Sequence, residues 1–125
     1  MLCIDDIHTA ILAETAANRG ARLLNVRVGS FWSVVQTSAG AGMASILPGE
    51  GHLHGAKPIA DAGALHLLTP LVLAERLHSS SIPEAALGLA AANALLGPPD
   101  GRLTEHNAET ILAEKGRQRR VAMIG

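Results

Sequence analysis

Residues 85–96 read AALGLAAANALL, a stretch whose one polar residue is Asn93. Alanine and leucine favour helix, and the run is punctuated at both ends. Before it, Ser81-Ile82-Pro83-Glu84 has the spacing of a capping box, in which the Ser81 hydroxyl accepts from the Glu84 amide and the Glu84 side chain returns the bond. After it, Gly97 stops the helix and Pro98-Pro99 enforces the stop. The pattern predicts a helix over 82–96 that is apolar nearly all round and therefore buried. It is too short for a membrane span, which takes about 20 residues, so protein must enclose it. Gly88 and the alanines allow close approach by neighbours. A buried Asn93 must be hydrogen-bonded, which predicts a tie to neighbouring backbone; the alternative puts its amide on a ligand cleft.

The enclosing material begins upstream. Leu24, Val26 and Val28 alternate with Asn25 and Arg27, the period of a strand. Gly29-Ser30 makes a turn, residues 31–37 a second strand, Ser38-Ala39-Gly40 another turn and residues 42–47 a third strand. Turns this short favour an antiparallel meander, and one of its faces needs cover. Ile4, Ile7, Ile11 and Leu12 fall at helical spacing, with Asp5 and Asp6 in the first turn and Gly20 past the end, which predicts an amphipathic helix over 4–18. Residues 48–57 read as a loop. Thr69 and Pro70 then open a helix reaching His78, and Asn107 caps a short helix ending at Lys115-Gly116. The fold class is α+β: an N-terminal helix, a three-stranded antiparallel meander, then covering helices.

The last nine residues read differently. A basic turn, Arg117 to Arg120, leads into Val121-Ala122-Met123-Ile124-Gly125, the form taken by the first strand of a parallel α/β domain. The expected division is an α+β domain over 1–116 and, over 117–125, a linker and the first strand of a second domain that is missing here. Alternatively this strand joins the edge of its own sheet. It can also pair with another chain, which would make the domain a stand-alone interaction module and a homo-oligomer.

Composition excludes several functions. The net charge of −1 names no polyanionic partner, and with no Tyr, only Phe31 and Trp32 remain for base stacking, so no nucleic-acid surface is expected. Cys3 is the single cysteine, which rules out an internal disulfide and fits a reducing cytoplasm. Asp5 and Asp6 stand where a signal peptide carries positive charge. A cytoplasmic chain with no membrane partner is expected.

For metal, Glu50-Gly51-His52-Leu53-His54 is the strongest local candidate. Residues two apart in an extended segment point to one side, so both imidazoles can meet one ion. Glu50, Asp61 or His66 would complete a donor set suited to Zn, Ni or Co. His78, near a helix C-terminus, is read as a cation favoured by the macrodipole. Ser79-Ser80-Ser81 has no nucleophile elbow, and Gly40-Ala41-Gly42 lacks the lysine of a phosphate loop. No catalytic residue is legible, and whether the chain is an enzyme is left open.

Three segments resemble the heavy-metal chelation family: VGSFWSVVQTSAGAGMAS (28–45), DAGALHLLTPLVLAERLHSSSIPEAALGLAAANAL (61–95) and the closing RRVAMIG. The resemblance implies an enolase N-terminal-like domain followed by a Rossmann-like domain. It implies metal or metallo-cofactor binding in a cleft between them, of which this chain forms one wall. The rival is a lyase- or transferase-like enzyme whose substrate is contacted by residues 48–66.

Overall fold

The computed structural model describes residues 3–46, 58–97 and 107–122. Helix α1 (Ile4–Thr15) starts where the Asp6 carboxylate accepts from the Cys3 amide at 2.9 Å, and it tightens into a 3-10 turn over Ala16–Asn18. Ile11 and Leu12 pack on the core, while Ile4 and Ile7 remain 60% and 44% exposed. The apolar stripe is thus used only in its second half.

Strands β1 (Leu23–Val28), β2 (Trp32–Thr37) and β3 (Ala41–Ser45) form the expected antiparallel sheet in the order β1-β2-β3. The turns close through Gly29 N–H to the Trp32 carbonyl and Thr37 N–H to the Gly40 carbonyl, each 2.8 Å. Ser33, Val35 and Thr37 of β2 and Gly42 and Ala44 of β3 form the inner face. The opposite face carries Trp32 and Met43, 51% and 54% exposed, and the described helices leave it open. The alternation expected in β1 breaks at one residue. Leu23 pairs with Thr37 and Asn25 with Gln36, so Leu24 is an extra residue without a partner. A bulge shifts the phase of the side chains: Leu23 and Val26 pack on the core, and Leu24 is 56% exposed.

Thr69 caps helix α2 (Pro70–Ala74), its hydroxyl accepting from the Val72 amide at 3.3 Å. The helix expected to run to His78 becomes a 3-10 turn over Glu75–His78. Helix α3 (Ile82–Leu96) has the expected bounds and stops at Gly97, whose φ is +60°. It is the hub, packing on β2 and β3 and also against α2 and the 75–78 turn. Two glycines permit this. A Cβ on Gly42 would overlap the Ala90 carbonyl and the Ala94 amide; one on Gly88 would overlap the Arg76–Leu77 backbone. At about 100° per residue, Gly88 and Ala90 lie on nearly opposite sides of the helix. Main chain therefore seats on α3 from both sides.

Two expectations at α3 are corrected. Ser81 is not half of a capping box: its hydroxyl donates to the Pro58 carbonyl at 3.2 Å, and the Glu84 carboxylate gathers other donors. Asn93 is exposed, not buried, yet its Nδ2 donates to the Met43 carbonyl at 3.1 Å, the expected tie to backbone, here on edge strand β3. Asn18 Nδ2 likewise satisfies the Leu95 carbonyl at 2.7 Å. Helix α4 (Ala108–Gly116) begins as expected, with Asn107 Oδ1 accepting from the Glu109 amide at 2.9 Å. Val121 and Ala122 belong to no strand, and the rest of the closing run, residues 123–125, lies outside the described residues.

Candidate functional site

Among the described residues, two places bring together histidine and carboxylate side chains. The first is a hollow of about 740 Å³ beside β1, lined by Val26, Val28, Pro58, Ile59 and residues 61–66. Asp61 and His66, named in the sequence as companions of a metal loop, both border it. Asp61 holds a left-handed φ of 56° and its carbonyl accepts from the Ala64 amide at 2.7 Å, which turns the chain around the rim. Glu50, His52 and His54 lie outside the described residues. Pro58, next after that undescribed stretch, lines the hollow.

The rim is stapled to the helices by Glu84. Its Oε1 accepts from the Ala60 amide at 2.9 Å and from Arg76 Nη1 at 3.3 Å; its Oε2 accepts from the Ser79 hydroxyl at 2.8 Å. Arg76 Nη1 also donates to the Ala60 carbonyl at 3.1 Å. The Ala60 amide, with help from Ser79 and the Arg76 charge, holds the Glu84 carboxyl below its ordinary value, against partial burial that pushes it up. Ser79 and Ser81 are thus bracing groups: Ser79 Oγ accepts from the Ser81 amide at 3.1 Å.

The second place was not legible as a set. Asp5 and His8 share one face of α1, and His78 ends the 75–78 turn that packs against it. One ligand atom from each lies within 4.8 Å of the others. The two imidazole rings meet edge to face, 5.5 Å between centroids at 72°. His8 is half-buried, Asp5 and His78 exposed, and His8 Nδ1 is buried without a hydrogen-bond partner. The available signal was the Asp5-x-x-His8 spacing; nothing in the sequence brings His78 to it. The macrodipole reading of His78 missed this neighbour.

The family model described as "Putative heavy-metal chelation" matches residues 10–96. The chain belongs to this family. A solved structure from Desulfitobacterium hafniense DCB-2, a protein of unknown function of the DUF364 family, is similar at 25% identity with a TM-score of 0.57. That likeness covers 71% of this chain and 33% of the other, so the chain spans about a third of that protein's length. No curated protein matches the chain. The family match includes the sheet, the hollow, α2, α3 and His78, and begins just after His8. Among the described residues, no helix is long and apolar enough to cross a membrane.

Proposed function

We propose that this chain is the N-terminal domain of a heavy-metal-chelating protein, working in the cytoplasm, and that it forms one wall of a ligand cleft. The observation that carries the reading is the family match over 10–96. In this reading residues 1–116 are an enolase N-terminal-like domain and 117–125 lead into a Rossmann-like partner domain. The partner covers the open sheet face at Trp32 and Met43, and the hollow beside β1 is the wall that faces the ligand. Support for a partner comes from the solved neighbour, only 33% of which this chain covers. Glu50, His52 and His54 would offer ligands, together with Asp61 and His66. Asn93 commits Nδ2 to Met43, so Oδ1 is the atom left to meet a cofactor.

Imidazole and carboxylate donors suit Zn, Ni or Co. The test is metal content after dialysis of the full chain, and of the chain joined to its following domain, against each ion in turn. Near-stoichiometric metal that a chelator removes is expected. Metal no higher than on a histidine-poor control protein, in both forms, would refute the reading.

A further inference from the structure

We propose that Asp5, His8 and His78 form an exchange-competent transition-metal site. The inference deepens the chelation reading by naming residues that hold the ion, and it rests on that reading for the class of ion. A tetrahedral ion about 2.1 Å from each donor keeps its ligand atoms roughly 3.4 Å apart. The three donors already lie within 4.8 Å of one another, near that spacing. The tripod is held at both ends: Asp5 and His8 by one helix, His78 by a turn whose backbone seats on Gly88 of α3.

The polar accounting points the same way. Buried nitrogens are normally partnered, and His8 Nδ1 is not. Edge-to-face packing against His78 explains the ring position but gives that nitrogen nothing. Among the described residues the ion pair formed is Arg76–Glu84, so no cation holds Asp5. A metal ligated through Nδ1 satisfies the orphan and neutralises the carboxylate together.

Two imidazoles and one carboxylate select Zn²⁺, Co²⁺ or Ni²⁺ over Ca²⁺ and Mg²⁺, which prefer all-oxygen shells. Three protein ligands leave at least one position open. Asp5 and His78 are exposed, so water or an incoming chelator reaches the ion. The site is built to take up and release metal, unlike a closed four-ligand structural site.

The experiment uses the full chain, stripped with chelator and titrated with Zn²⁺ and Co²⁺. Calorimetry gives affinity, Co²⁺ visible absorption gives coordination, and imidazole ¹⁵N resonances show which histidines bind. The wild type is compared with Asp5→Asn, His8→Gln/His78→Gln and His52→Gln/His54→Gln, each checked for fold by circular dichroism. Expected are shifted His8 and His78 resonances on adding metal, and a bound ion whose affinity falls at least tenfold in the His8/His78 variant. Asp5→Asn should weaken it severalfold, and in the His52/His54 variant the His8 and His78 resonances should still shift on adding metal. Binding lost only with His52/His54 would overturn this site and leave the chelation reading standing. No binding by the wild type would sink this site and leave the chelation reading to the two-domain form. Should the His8/His78 variant fail to fold, the wild-type resonances decide: unmoved His8 and His78 signals refute the site.

Discussion

Three donors converge on the Glu84 carboxylate, and one of them, the Ala60 amide, ties a segment 24 residues away. Glu84→Gln should cost about 1–2 kcal/mol at neutral pH, measured by urea unfolding, because a charged acceptor loses its advantage at a partly buried site. The sign with pH follows from the depressed carboxyl. Folding favours the ionised form, so its contribution is complete above about 4.5, the ordinary value, and is lost as pH falls through the lower folded-state value. The gap between wild type and variant should therefore close in acid; a gap that widens would contradict the assignment. Ser33 poses the opposite case. Its hydroxyl is fully buried and has no partner. Ser33→Ala should raise stability by about 1 kcal/mol, seen as a melting point a few degrees higher. At this scale local readings succeeded where the partner is close in sequence, as at Asn107. Ser81 failed because Pro58 takes its hydroxyl, and the Asp5-His8-His78 set was hidden because a contact between α1 and the 75–78 turn is decided by tertiary packing.

Among the elements, α3 was the most legible, since Pro83 in its first turn and Gly97 at its end act locally on backbone geometry. β1 was only partly legible, because its phase is set by a bulge that pairing with β2 creates. The role of Gly42 was not legible either: a glycine opening a strand does not announce the helix that crosses it. Gly42→Ala should cost about 3 kcal/mol or more, as the new methyl meets helix backbone that no rotamer can clear. Gly88→Ala should be comparably severe, with an added local sign: faster amide exchange over the 75–78 turn. Unchanged exchange there, with stability lost, would show that the turn is not held by this contact.

For the whole molecule, the α+β class and the meander were legible because both follow from periodicity and short turns. The hollow was not, since segment 58–66 meets β1 only in the folded chain. Trp32, the single tryptophan, sits on the open sheet face at 51% exposure. Its fluorescence in this chain should be readily quenched by iodide, and if the proposed partner domain covers this face, quenching should fall when such a domain is attached. Equal quenching in both forms would place the partner domain elsewhere. Finally, the 75–78 turn has two arms. Arg76 reaches the hollow's rim through Ala60 and Glu84, while His78 reaches α1 at His8. Between them Leu77 rests on the bare backbone at Gly88. The turn is a beam on a single pivot, with one end in each candidate site. Two neighbouring side chains of one four-residue turn thus serve both places: Arg76 holds the rim of the hollow and His78 meets the His8 ring.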